Sequence, residues 1–170
     1  MKPEWHTQWQ GKDLVVERDG REIDRVAAAE IELAIVVYGD RGATPGDLDF
    51  VLLRTHTHDL VLPAETGIAN RLHFERQAFW HARRCVYWAP AARAVLPRRL
   101  CQGLWILRQH KPGFLRLPRQ QLDPVIASWP LEGPQTWDER KWELIERMRP
   151  FAALRTVAAP VTLRQMRGSA

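Results

Sequence analysis

Apolar and polar positions alternate through the first forty residues, which predicts a series of short strands. The first three strands are expected at 4–10, 13–18 and 21–26. Asp19-Gly20 lies between the second and third, and this pair suits a two-residue hairpin because both positions tolerate positive φ. The clearest strand covers 31–38, where every second residue on one face is apolar: Ile31, Leu33, Ile35 and Val37.

A second β-rich stretch follows a polar loop that contains three Gly and one Pro. The loop, 39–47, leads into a predicted strand at 48–55, and a hairpin with the strand at 31–38 is expected across this long connection. A turn at 55–59 and a short strand at 60–62 then end at Pro63. The sheet is therefore expected to occupy residues 4–63.

A long helix is predicted immediately after this sheet. Thr66 is a suitable N-cap residue, and the helix is expected to cover 66–84, with Arg83 and Arg84 placed favourably at its C-terminal end. Four apolar side chains near one face would pack on the sheet: Ile68, Leu72, Phe79 and Trp80.

The pattern is less regular beyond residue 85. Candidate strands lie at 85–88, 104–108 and 114–117, with a tight turn at 111–113. Asp123-Pro124 predicts the start of a short helix that stops at Pro130. The last predicted helix begins at Thr136, which has capping-box spacing with Glu139, and it runs to Arg149.

This order of elements predicts an α+β fold, with an antiparallel sheet capped by one long helix and followed by a C-terminal helical extension. One domain is expected over residues 1–154, made of the sheet, the helix at 66–84 and a mixed extension at 85–154. The small and polar residues 155–170 are expected to form a flexible tail.

The stretch Asp13–Val37, which reads DLVVERDGREIDRVAAAEIELAIVV, resembles the opening strands of bacterial pleckstrin-homology-like domains. The resemblance covers at most the N-terminal half of the chain. It implies a curved or barrel-like antiparallel sheet closed by one helix. Because that fold hosts lipid-binding, peptide-binding and structural roles, the resemblance implies no particular activity.

Composition points to a folded, cytoplasmic protein. With 45% hydrophobic residues in 170 positions, the chain can bury a substantial core. The N-terminal residues lack the pattern of an export signal, and the longest apolar runs are too short to cross a bilayer. Cys85 and Cys101 form no close pair, so both are expected to be free thiols.

Charge is distributed unevenly along this basic protein, which has a net charge of +5. No Asp or Glu lies between Glu75 and Asp123, whereas ten Lys and Arg residues do. These cations, interleaved with aromatic residues, are candidates for binding an anionic partner. The candidate residues are Arg83, Arg84, Arg98, Arg99, Arg108, Trp88 and Trp105. Alternatively, the arginines lie on separate faces and pair with distant carboxylates, while the aromatic rings fill the core.

Candidate catalytic and metal-binding residues are sparse. His56 and His58, one residue apart, could face the same side of a strand, and His81 with Cys85 would share a helix face. All four are weak metal candidates. The cysteines lack the close paired spacing of structural zinc sites, and His56 and His58 lie where an exposed hairpin turn is the simpler interpretation. The chain contains no nucleophile-elbow, P-loop or dinucleotide-binding glycine pattern. No catalytic residue and no cofactor is predicted.

The resulting hypothesis is a non-enzymatic cytoplasmic module with a basic contact surface. Its partner would be another protein or a further copy of the chain. A nucleic-acid-binding protein with an Arg- and Trp-rich surface is the alternative, and it would lose affinity steeply with salt. A metal-dependent enzyme that uses the His and Cys candidates is a third possibility.

Overall fold

The computed structural model of the protein describes residues 4–39, 48–66, 86–102, 111–135 and 137–148. The chain comprises two compact units, Met1–Trp137 and Asp138–Ala170. The elements within the described residues are β1 (Trp5–Gln10), β2 (Asp13–Arg18), β3 (Arg21–Ala27), β4 (Ile31–Tyr38), β5 (Leu48–Thr55), β6 (His58–Pro63), β7 (Val86–Pro90), β8 (Cys101–Gln102), β9 (Lys111–Pro112), β10 (Leu115–Pro118), α1 (Asp123–Ile126) and α2 (Trp137–Met148).

The first three strands form an antiparallel sheet in the order β1-β2-β3. Asp19 and Gly20 have φ values of 51° and 74°, which confirms the hairpin predicted at this pair. Opposite β2, the register shifts so that Val16 pairs with Asp24 and Glu17 pairs with Glu22. Ile23 is therefore the additional residue of a bulge, which interrupts the pairing of this edge strand.

The central sheet has five strands in the order β10-β6-β5-β4-β7. Its β4–β5, β5–β6 and β6–β10 pairs are antiparallel, so the predicted hairpin between β4 and β5 is confirmed. The β4–β7 pair is parallel, with Ala34 opposite Val86 and Val36 opposite Trp88. β8 and β9 form a separate two-stranded antiparallel ladder.

The central sheet is buried on both faces. On the first face, Leu14, Val16 and Val26 of the three-stranded sheet pack with central-strand residues that include Val36, Leu53, Leu60 and Leu62. The second face packs against a different set of residues. Its side chains Ile35, Val37, Leu52 and Val61 form one core cluster with Ala94, Leu96, Leu122, Ile126 and Trp129. The covering residues of the second face come from 94–96 and from 122–129.

The predicted α+β class, with a long helix capping a sheet, is wrong. The described residues are mostly strand, and the two helices among them contain 4 and 12 residues. The three-stranded sheet covers one face of the central sheet, and residues 94–96 and 122–129 cover the other. Thr66 closes a short 3-10 turn at Ala64–Thr66, whereas residues 67–84 of the predicted helix lie outside the described residues.

Several local predictions after residue 85 are confirmed and one is wrong. Strands occur at β7 and β10, and helices begin at Asp123 and Trp137, close to their predicted positions. The turn predicted at 111–113 is wrong, because Lys111 and Pro112 form β9 and pair with β8. The strand predicted at 104–108 and the tail predicted at 155–170 lie outside the described residues.

Candidate functional site

The arginines of the two larger sheets and of the turn after β10 are mostly engaged by carboxylates. Arg25 pairs with Glu22 at 2.7 Å and with Asp13 at 3.3 Å on the outer side of the three-stranded sheet. Arg116 of β10 donates to Asp24 of β3, so this ion pair joins the edges of the two sheets. These cations are used within the fold, which makes them poor candidates for an external partner.

A second group of ion pairs holds the turn after β10 against the central sheet. The Arg54 guanidinium donates through Nε and Nη2 to the two Asp59 carboxylate oxygens, each at 2.8 Å, and its Nη1 lies 2.9 Å from Asp123 Oδ1. Arg119 Nη1 donates to Glu32 Oε2 at 2.7 Å. The pKa of Arg54 is raised, first by its hydrogen bond to Asp59, and the pKa of Glu32 is lowered, first by its hydrogen bond from Arg119.

A different environment surrounds the arginines of the segment that joins β7 to β8. Arg93, Arg98 and Arg99 are exposed, and the described residues give none of their side chains a carboxylate partner. Between them lies Val95, which is 64% exposed. We call residues 93–99 the basic segment. It combines three cations with one exposed aliphatic side chain.

The basic segment is fixed to the fold by the residues that alternate with its exposed side chains. Ala94 and Leu96 are buried in the core on the second face of the central sheet. The backbone N–H groups of Arg93 and Ala94 donate to Pro90 O at 2.9 Å, and Leu100 N–H donates to Pro97 O at 2.8 Å. These contacts present Val95 and the three guanidinium groups on an ordered backbone.

The structure places the residues predicted for anionic-partner binding in different environments. Arg98 and Arg99 are exposed side by side on the 3-10 turn Arg98–Leu100. Trp88 is 2% exposed and its Nε1–H donates to Gln135 O at 3.3 Å, so its ring belongs to the core. Four candidates lie outside the described residues: Arg83, Arg84, Trp105 and Arg108.

The metal candidates are not brought together where the structure describes them. His56 Nδ1 lies 3.2 Å from Glu32 Oε1, whereas His58 Nδ1 lies 2.8 Å from Thr57 Oγ1. No group of three His, Cys, Asp or Glu residues that could hold a metal ion occurs in the described part of the chain. His81 and Cys85 lie outside it.

Cys101 is a free thiol. It is the first residue of β8 and lies two residues after the basic segment. Its Sγ–H donates weakly to Leu96 O and Pro97 O, at 3.9 and 3.8 Å. Burial raises the pKa of this thiol, and the nearby Asp49 carboxylate raises it further. A thiol with a raised pKa is a weaker nucleophile at neutral pH, because less of it is thiolate.

Two features of these sites were not predicted from the sequence. Val95 was not singled out, although an apolar residue flanked by cations in a loop is the available signal. The Arg54–Asp59 pair was also missed, although Arg54 precedes the predicted turn at 55–59 and Asp59 ends it, which places the two residues opposite each other in a hairpin. Asp123 and Glu32, by contrast, give no local signal of their arginine partners.

No protein-family model, no curated protein and no solved structure matches this chain. The resemblance to pleckstrin-homology-like domains therefore stays a prediction. In the residues that the structure describes, no helix is both long enough and apolar enough to span a membrane.

Proposed function

We propose that this protein is a non-enzymatic, cytoplasmic binding module that uses the basic segment to contact an acidic protein surface. The observation that carries the proposal is the contrast between two sets of arginines. Arg25, Arg54, Arg116 and Arg119 are paired with carboxylates, whereas Arg93, Arg98 and Arg99 are exposed together in one segment and have no such partner among the described residues. The cytoplasmic location rests on the sequence alone.

The exposed Val95 favours a protein partner. A contact surface between proteins commonly buries an apolar centre within a polar rim, and arginine is enriched in such surfaces. Val95 with its three neighbouring cations has this composition on a small scale. A single-strand nucleic-acid surface would instead place aromatic rings among the cations for base stacking. The basic segment contains no aromatic residue.

Binding to acidic polymers tests this proposal. Labelled poly-L-glutamate, a glutamate–tyrosine copolymer and a single-stranded oligothymidine would each be titrated with the protein, and fluorescence anisotropy would report binding. We expect Arg98→Gln with Arg99→Gln to weaken binding of both polypeptides about tenfold, because two charge contacts of up to ~1 kcal/mol each are lost. Val95→Ser should weaken binding of the tyrosine copolymer more than that of poly-L-glutamate.

The matched control is Lys12→Gln with Arg21→Gln, which removes the same net charge from two exposed cations outside the basic segment. If this control loses as much affinity as the Arg98/Arg99 variant, the binding reflects net charge and the proposal fails. If oligothymidine binds more tightly than both polypeptides and depends on Arg98 and Arg99, the nucleic-acid alternative replaces it.

A further inference from the structure

The helix α2 carries a second exposed surface of opposite charge. Trp142 is 59% exposed and is the largest of the three exposed large apolar side chains among the described residues. Glu139, Glu143 and Glu146 lie three residues before, one after and four after Trp142, so helical geometry places all four residues along one stripe. We call residues 139, 142, 143 and 146 the acidic stripe. Arg140 Nη1 lies 3.9 Å from Glu143 Oε2, and Glu146 is exposed.

The acidic stripe and the basic segment are chemically complementary. One has an exposed aromatic ring among carboxylates, and the other has an exposed aliphatic side chain among guanidinium groups. Juxtaposed, they would bury Trp142 against Val95 and pair Arg98 or Arg99 with the exposed Glu146. An arginine over the Trp142 face would add a cation–π contact. A contact of the same kind occurs elsewhere in the protein, where the Arg18 guanidinium carbon lies 5.4 Å from the Trp5 ring centroid.

We infer that the acidic partner of the basic segment is a second copy of this chain, which contributes its acidic stripe. This inference rests on the proposed function and specifies the partner. Because the two surfaces differ, the contact is heterologous: a dimer leaves the acidic stripe of one copy and the basic segment of the other unoccupied. Such a contact generates a ring if the rotation closes and an open chain of copies if it does not.

Sedimentation velocity of the full-length protein over a range of concentrations and ionic strengths tests the inference. We expect the weight-average sedimentation coefficient to rise with protein concentration and to fall at high ionic strength, because charge pairs at an exposed rim are screened by salt. Two variants should stay monomeric under the conditions where the wild type associates. The first is Arg98→Glu with Arg99→Glu, and the second is Trp142→Ser.

The decisive step is to mix these two variants. The Arg98/Arg99 variant retains an intact acidic stripe, and the Trp142 variant retains an intact basic segment, so an equimolar mixture should form heterodimers that cannot extend. If the mixture stays monomeric while the wild type associates, the interface lies elsewhere and the inference is wrong. Glu146→Gln provides a second variant of the stripe, which should weaken association up to about fivefold, because one exposed charge pair is lost. The control Lys12→Glu with Arg21→Glu should leave association intact.

Failure of this inference can be separated from failure of the proposed function. A wild type that is monomeric at every concentration overturns self-association. If its binding to the glutamate–tyrosine copolymer still depends on Arg98, Arg99 and Val95, the basic segment remains a contact surface for a different acidic protein. If both the self-association and the copolymer binding are insensitive to these residues, both proposals fall.

Discussion

Arg54 shows how a buried charge is accommodated at the end of the β5–β6 hairpin. Its side chain is 9% exposed and Asp59 is fully buried, yet the guanidinium group donates two parallel bonds to Asp59 and one to Asp123. Each charge therefore has an opposite charge and directed hydrogen bonds. This arrangement offsets the desolvation that burial imposes on both ions.

Removing the Asp59 charge should destabilise the protein markedly. In Asp59→Asn, the side chain keeps its size, but Arg54 loses its buried counter-ion and meets an amide in place of one carboxylate oxygen. We expect the free energy of unfolding to fall by about 3 kcal/mol, measured by urea denaturation. Asp13→Asn, which breaks the more exposed pair with Arg25, is the matched control and should cost less. Equal losses would show that burial does not distinguish the two pairs.

The pKa of Glu32 predicts how stability depends on acid. Arg119, and then His56, lowers this pKa below its ordinary value of 4.5. A lowered carboxylate pKa stabilises the folded state above the unfolded pKa, and this contribution is lost as the pH falls through the folded pKa. Glu32→Gln should therefore reduce the free energy of unfolding above pH 4.5, and its difference from the wild type should shrink at lower pH.

Unfolding curves at a series of pH values, combined with Arg119→Gln, complete this test. Removal of Arg119 eliminates the largest cause of the lowered pKa, so the Glu32 and Arg119 substitutions should be non-additive above pH 4.5. Additive effects at every pH would contradict an interaction between the two side chains.

At the scale of the elements, the strands could be predicted because their signals are local. The Asp19-Gly20 hairpin and the boundaries of β2, β4 and β5 follow from alternation and turn residues over a few positions. The covering layers could not be predicted in this way. Both alternating sets of β4 residues are buried, Ala34 and Val36 towards the first face and Ile35 and Val37 towards the second. Which element covers each face depends on contacts that are distant in sequence.

The free edge of β7 is covered by the segment that precedes α2. Trp88 and Glu132 exchange backbone hydrogen bonds, each at 2.8 Å, and Gln135 N–H donates to Val86 O at 3.1 Å. Gly133 lies between them with a φ of 117°, which L residues with a side chain rarely adopt. Covering an edge strand satisfies backbone groups that would otherwise be available for pairing with another chain.

Gly133→Ala should weaken this edge cover. A Cβ at this position would lie 2.9 Å from the Gln135 backbone nitrogen and 3.1 Å from Val86 O, in addition to requiring an unfavourable φ. We expect a loss of about 2 kcal/mol in the free energy of unfolding. In Gly11→Ala, the φ of 63° is also positive but a Cβ meets no atom within 4 Å, so the loss should be smaller. Hydrogen exchange should show faster exchange at Trp88 and Gln135 in the Gly133 variant alone.

At the scale of the whole molecule, the acid-free window illustrates why a candidate surface could be only partly predicted. Arg116 and Arg119 belong to that window, yet they pair with Asp24 and Glu32, which lie 92 and 87 positions away. Arg93, Arg98 and Arg99 belong to it too and remain exposed. Folding thus gives some of the cations that are clustered in the sequence a distant carboxylate partner and others none among the described residues, and a count of charges along the chain does not distinguish them.

The two cores share one sheet, and this predicts a single cooperative unfolding transition for the strands. Leu14 is buried in the first core, and Trp129 is buried in the second, where its ring meets Phe50 at 6.0 Å. Leu14→Ala and Trp129→Ala should each lower the free energy of unfolding by about 3–4 kcal/mol, because each leaves a cavity. Because β4 and β5 contribute to both cores, far- and near-ultraviolet circular dichroism should report coincident transitions in both variants.

Trp142→Ala is the control: it truncates an exposed ring and should change the free energy of unfolding by less than about 0.5 kcal/mol. A second transition confined to one variant would show that the two faces of the central sheet unfold independently.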